Sequence, residues 1–381
     1  MEYLESPDAL EALAERLRGS DLLAADTEAA GYHRYRDRVC LLQLSTRDET
    51  FVVDTLAIAR LDPLATIFAD TNREMLFHDA DYDLRLLNRD FGFRIGKLFD
   101  TKIAAQFLGE PAIGLGALVE KYLGVVLDKK HQRADWGQRP LPQELLEYAA
   151  EDTRHLPALR DRLRELLEQT GRLHWAEEEF ALMQQTRWTS EPIAGDGYLK
   201  VKGARELNGR QLAALRELHA WREEVAQSRD SAPFRILSNE ALLELARVLP
   251  TQVSELSGTK GVSSSLVERR GGDLIAAVRR ALDLSARDLP VFPRGPRRPP
   301  PDANFEDRME RLRAARDQVA DQLGLDRGFL MPRMQLEAVA RLPQPTTSAI
   351  ETVPDIRRWQ VEVLGEALAA AVNKKESQET D

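Results

Sequence analysis

Near the start of the chain, "LLAADTE" (22–28) runs apolar and then ends on two acids, Asp26 and Glu28, with one residue between them. A strand alternates sides at each residue, so both carboxylates share one face while Thr27 points the other way. Like charges held that close repel unless a cation sits between them. More acids follow. In "EYAAEDTRHL" (147–156), Tyr148 and Asp152 stand four apart, on one side of a helix that can point at the strand acids. In "FHDADYDLRLL" (77–87), Asp79, Asp81 and Asp83 crowd a helix start, where some acids are expected merely as caps. Asp83 is chosen because it precedes Leu84 and Leu87 on the helix itself; Asp79 and Asp81 are read as turn or capping residues and stay open as alternative registers. Asp26, Glu28, Asp83 and Asp152 lie on different elements, and no histidine or cysteine has matching spacing. That donor set suits a hard cation bound by oxygen, magnesium or manganese. Two such ions about 3.5–4 Å apart activate a water and stabilise both the attacking and the leaving oxygen of a phosphoryl displacement.

Other residues have plainer readings. His78 is expected as a satisfied strand-end histidine, Asp100 as the cap of the helix "TKIAAQFL", and Cys40, inside "VCLLQLS", as a buried structural thiol. Lys129, Lys130, Arg133 and Arg139 are candidates for phosphate contact or for solvated loop charge. Tyr32 and Trp136 are candidates for base stacking, with burial the better expectation for Trp136.

The elements that position these residues can be laid out from pattern. "SPDALEALAERL" is a helix with Ser6 as N-cap and Pro7 in its first turn. Three strands follow, "LLAADTE", "VCLLQLS" and "TFVVDT", the last two joined closely enough for an antiparallel hairpin. Then come a helix at "LDPLATIFAD", a strand at "EMLFH", and helices at "DYDLRLLNRD", "TKIAAQFLG", "LGALVEKYLG" and 142–169, the last taken as one stretch. This is an α/β domain over 1–195. Beyond it only helical patterns occur. One small helical domain spans 206–288, six prolines in "PVFPRGPRRPPP" make 289–302 a stiff linker, a second helical domain of similar texture spans 303–375, and 376–381 is a disordered tail. All the candidate acids precede residue 200, so the tail is expected to be dispensable for the chemistry.

Composition excludes several classes. The chain has 381 residues, 43% hydrophobic and 30% charged, enough for two or three domains. Its single cysteine rules out a disulfide framework or a cysteine-rich zinc site within one chain. There is no secretory leader pattern and no apolar run of membrane-spanning length, so a cytoplasmic protein without membrane contact is expected. A formal charge of −10 argues against coating nucleic acid through bulk charge, although a local basic groove is compatible with it.

The ordered set "DTE", "DYDL" and "YAAED", with Tyr148 four residues before its acid, resembles the exonuclease family named for four acids (DEDD), in its tyrosine subgroup. "FDTKIAAQFLG", "DWGQRPLPQELLEYAAEDTRHLPAL" and "YLKVKGARELNGRQLAALRELHAWRE" are similar to bacterial ribonuclease D, and the helical modules resemble HRDC domains. The resemblance implies a ribonuclease H-like α/β exonuclease domain followed by two all-α HRDC-like domains. It also implies 3′ to 5′ trimming of RNA ends with release of 5′-mononucleotides, and tRNA precursors as substrates; a monomer is expected, with the oligomeric state left open. By the same resemblance Asp26, Glu28 and Asp152 hold one ion, Asp26 and Asp83 engage a second, and Tyr148 orients the attacking water. A DNA exonuclease of the same fold and a non-catalytic RNA-binding scaffold are the alternatives; the scaffold predicts a broken acid set, whereas all four positions are filled.

Overall fold

The computed structural model describes residues 1–58, 60–128, 130–189, 195–293 and 304–373. Its first half is built on one mixed six-stranded sheet, in the order β1-β4-β3-β2-β5-β6. In chain order the elements are β1 (Glu2–Leu4), α1 (Pro7–Leu17), β2 (Leu22–Ala29), β3 (Val39–Ser45), β4 (Thr50–Asp54), α2 (Asp62–Phe68), β5 (Glu74–Phe77), α3 (Asp81–Phe91), β6 (Leu98–Asp100), α4 (Thr101–Phe107), α5 (Leu115–Leu123), α6 (Gln143–Arg154), α7 (Leu156–Gln169) and α8 (Leu173–Met183). β3 and β4 form the expected antiparallel hairpin, and β2 pairs antiparallel with β3 and parallel with β5.

Three features depart from expectation. β1 and β6, each three residues long, carry no alternation to recognise; they join the sheet by pairing parallel with β4 and β5. The stretch 142–169 is two helices, because Pro157 cannot donate to the helix before it and instead starts α7 from within its first turn. Around the sheet, α1, α2 and α7 cover one face, where Leu10, Leu13 and Leu17 meet Leu23, Leu42 and Val53, while α6 covers the other with Leu145, Leu146, Ala149 and Ala150 against Leu41 and Val52. β2 is thus buried on both sides until its last residues.

The rest of the chain is helical: α9 (Gly209–Ser228), α10 (Pro233–Ile236), α11 (Asn239–Val248) and α12 (Ser264–Leu282), then α13 (Phe305–Leu323), α14 (Arg327–Leu330), α15 (Arg333–Ala340), α16 (Thr347–Glu351) and α17 (Arg358–Asn373). The core of the first helical group begins before residue 206, with Tyr198, Val201 and Ala204 buried in it, and takes in Leu289 and Phe292, the first part of the expected linker. The remainder of that linker, from 294, and the tail from 376 lie outside the described residues.

The second helical group does not hang free. It shares one continuous core with the sheet domain. Phe107 of α4 meets the rings of Phe329 and Trp359, each at 4.9 Å between centroids, and Trp175 of α8 lies 6.1 Å from Trp359. Glu178 accepts from the free amides of Arg358 and Trp359, at 2.9 and 3.0 Å, capping α17 from the other domain. Arg172 donates to Phe107 O and to Leu323 O, at 2.7 Å each, and so bridges the two backbones. The contact is tight enough to require glycine. Gly109 has φ +73°, and a Cβ there would sit 2.1 Å from the carbonyl oxygen of Gly324.

Candidate active site

The acids are assembled by the end of β2. β5 accompanies β2 only over Leu22–Ala24, which leaves the backbone from Ala25 onward without a strand on that side. Into this gap drops the first turn of α3. Its start is fixed by Asp100, which accepts from Ala80 N at 2.7 Å and from Lys102 N and Ile103 N of α4, so the expected helix cap also ties two helix starts together. Asp83 is thereby buried against β2, where its carboxylate accepts from the hydroxyl of Thr27. The Thr27 side chain, expected to point away from the acids, reaches one of them around the open edge of the strand.

The structure separates the three neighbouring aspartates. Asp79 pairs with Lys102, and Asp81 pairs with Arg85 one helical turn on, through bonds of 2.8 and 2.9 Å. Only Asp83 faces β2.

On the opposite side α6 presents Tyr148 and Asp152. Its register on the sheet is held by hydroxyls: Thr153 Oγ1 lies 2.8 Å from Ser45 Oγ, which donates to Thr50 Oγ1 at 2.9 Å. The loop entering α6 is pinned by Arg139, whose guanidinium holds Asp54 through bonds of 2.6 and 2.8 Å and also reaches Cys40 O and Trp136 O. Arg139 is therefore a structural residue rather than a phosphate contact. Lys130 pairs with Asp128, and Lys129 lies outside the described residues. Trp136 is buried and lies 6.2 Å from the Tyr148 ring, with the His131 ring at 5.6 Å on another side.

Asp26, Glu28 and Asp152 offer carboxylate oxygens that all lie within 4.8 Å of one another. No lysine, arginine or histidine pairs with any of them among the described residues. Burial and mutual repulsion disfavour the charged forms: Asp26 is raised well above its ordinary value by burial, then by Asp83, Asp152 and Glu28. Glu28 is raised well above its ordinary value by burial, Asp152 and Asp83, and Asp152 is pushed up to about 6, mainly by burial. Burial also raises Asp83, against the pull of Thr27. Across the sheet from Asp26 sits Gln43, fully buried, with neither amide atom hydrogen-bonded. A recess of half-buried carboxylates without a protein counter-ion, built of oxygen donors alone, fits a divalent metal.

Sequence reasoning missed Thr27 and Gln43. Nothing in the sequence marks Thr27, because its role depends on where β5 stops. Gln43 had one signal, a lone amide inside the apolar run "VCLLQLS". His78 behaves as expected: it bonds Thr101 Oγ1 at 2.9 Å, and burial lowers its pKa to about 4.

The family model described as 3'-5' exonuclease matches residues 1–168, and that of the HRDC domain matches 211–278 and 305–372. Ribonuclease D of Granulibacter bethesdensis is 32% identical over 96% of this chain and 90% of its own length. The chain belongs to the ribonuclease D family. The crystal structure of Escherichia coli RNase D, described as an exoribonuclease involved in structured RNA processing, superposes with a TM-score of 0.70 at 29% identity, over 98% of each chain. The catalytic core of RRP6 from Trypanosoma brucei gives 0.64 at 33% identity, over 74% of this chain and 81% of that one. The fold class is therefore the one expected, an α/β exonuclease domain followed by helical HRDC domains, and the exonuclease fold is metal-dependent. Among the described residues no helix is long and apolar enough to cross a membrane.

Proposed function

We propose that Asp26, Glu28, Asp83 and Asp152 hold two divalent ions, magnesium or manganese, and that the protein releases 5′-mononucleotides stepwise from RNA 3′ ends. The protein is a 3′–5′ exoribonuclease; tRNA precursors are the substrates this reading favours. The observation that carries it is the convergence of Asp26, Glu28 and Asp152 within 4.8 Å, with no cationic side chain among them. When bound, such ions acidify a water and neutralise charge on the leaving oxygen.

The protein's own groups do the rest. Asp26 is close enough to Asp83, Asp152 and Glu28 to be repelled by all three, which suits it to serve both ions. Thr27 fixes Asp83 through its hydroxyl. Tyr148 is raised above its ordinary value by burial and then by Asp152, Glu28 and Asp26, so it keeps its proton at neutral pH. It aligns the attacking water by hydrogen bond and does not act as its base. One chain supplies every one of these groups, in keeping with a monomer, and a cytoplasmic location accords with an RNA-processing role.

Short single-stranded RNA and DNA, labelled at either end, test this with magnesium, manganese or EDTA. The expected result is a ladder shortening from the 3′ end of 5′-labelled RNA, immediate release of labelled mononucleotide from 3′-labelled RNA, and loss of both with EDTA or in Glu28→Gln. Internal cleavage, digestion from the 5′ end, or near-normal turnover by Glu28→Gln would refute it.

A further inference from the structure

The β2–β3 connection leaves the acids and turns back on itself, with the amides of His33 and Arg34 both donating to Ala30 O at 2.9 Å. The turn holds Tyr32 outward. The residue is 42% exposed, and its ring lies 5.3 Å from that of Phe234, a residue 48% exposed on α10 of the first HRDC domain. Arg235 stands over the Tyr32 ring at 5.1 Å, and Arg133 lies 5.9 Å from its centroid. Two large rings from different domains thus meet at the surface and stay half open, flanked by guanidinium groups.

Arg235 donates through Nε to Tyr32 O at 3.0 Å, and no carboxylate of the described residues neutralises the charges around the rings. Among the described residues Arg36, Arg38, Arg133 and Arg235 are exposed, and none forms an ion pair, although the chain as a whole carries a net charge of −10. Arg36 and Arg38, with Arg34 and Arg89, line an open cavity of about 850 Å³ that Asp37, Asp90 and, from the HRDC side, Asp230 also line. None of the four catalytic acids lines that cavity.

The patch is also close to the acids along two routes. Tyr32 follows Glu28 by four residues, so their Cα atoms are at most about 14 Å apart. The loop before α6 places His131 against Tyr148 and, two residues on, Arg133 against Tyr32.

We infer that Tyr32 and Phe234 form a stacking platform for successive bases of single-stranded RNA, upstream of the nucleotide being removed, with Arg36, Arg133 and Arg235 serving its phosphates. The inference rests on RNA being the substrate. Bases of any identity stack on exposed aromatic rings, and arginines beside the rings take the backbone, a combination that grips a strand without reading its sequence. The first HRDC domain then extends the substrate channel of the exonuclease domain.

The test is binding without metal, so that no turnover intervenes, by fluorescence anisotropy of a labelled decanucleotide and a labelled dinucleotide. Tyr32→Leu and Phe234→Leu keep apolar bulk at the domain contact but lose the aromatic face. Each is expected to weaken decanucleotide binding about five-fold or more, the loss of one stacked base, and to weaken dinucleotide binding far less. Tyr32→Phe is expected to bind as the parent does, and Arg36→Ala to flatten the salt dependence of decanucleotide binding. If the leucine variants bind like the parent while alanine variants do not, the rings merely dock the HRDC domain and the platform is refuted. Equal losses for the two lengths would also overturn it, by placing the rings at the acids. Failure of the exoribonuclease reading shows separately, as the parent protein producing no 3′ ladder.

Discussion

Replacing Asp152 by asparagine should make the metal-free protein more stable while it destroys activity. The reasoning is linkage. Asp152 titrates at about 6 in the folded protein, chiefly through burial, against about 3.9 for an unperturbed aspartate. A carboxyl raised by folding binds its proton more tightly in the native state, so stability is fully retained below pH ~4 and lost as pH rises through ~6. That difference is worth about 3 kcal/mol at neutral pH. An asparagine side chain has no charge to desolvate and also relieves Glu28 and Asp26, both raised partly by Asp152. In EDTA, then, the melting temperatures of parent and Asp152→Asn should coincide near pH 4 and separate toward pH 7.5. At the upper end the variant should be higher by roughly 5 °C. Magnesium should reverse the order, because the parent gains binding energy that the variant largely lacks. Thermal unfolding across this pH range, with and without metal, is the assay. Parallel pH profiles in EDTA, or a variant less stable at pH 7.5, would refute the claim that these carboxylates are strained for want of a cation.

Three further outcomes follow from the structure. Tyr148→Phe should lower kcat by about 100-fold or more while changing RNA affinity little, because the hydroxyl aligns water and binds no strand; single-turnover kinetics beside binding titrations separate the two effects. Trp359→Ala should cost about 3–5 kcal/mol, and a chain ending near residue 200 should be poorly soluble, since Phe107 and Trp175 would lose the rings that cover them; thermal unfolding and sedimentation of the fragment check this.

That last outcome adds a structural role to a tail expected to be dispensable for the chemistry, and the reason bears on what a sequence can show. Local pattern was enough for β2, β3, β4 and the long amphipathic helices, since each carries its own periodicity, and for the ordered acids, since carboxylates are rare where an apolar strand ends. It could not reveal β1 or β6, which exist only because a neighbour offers free backbone groups. Phe107, Trp175, Phe329 and Trp359 each look like ordinary local core, and nothing in the spacing says that they meet. Tyr32 was legible as an aromatic of uncertain purpose; its partner Phe234 lies in another domain. Asp83 was chosen over Asp79 and Asp81 by its place on the helix, and the salt bridges of the other two to Lys102 and Arg85 show why they are not available to face β2.

The shared core also sets an order of events during synthesis. Phe107 leaves the ribosome early, yet the ring that covers it, Trp359, arrives near the end of the chain. At about 5–20 residues per second, the exonuclease domain waits on the order of ten seconds or more with an open apolar face. A message broken before its last helices, or a chain abandoned midway, therefore yields an exposed and protease-sensitive product instead of a freely roaming nuclease. Completion of the polypeptide is built into the stability of the part that cuts.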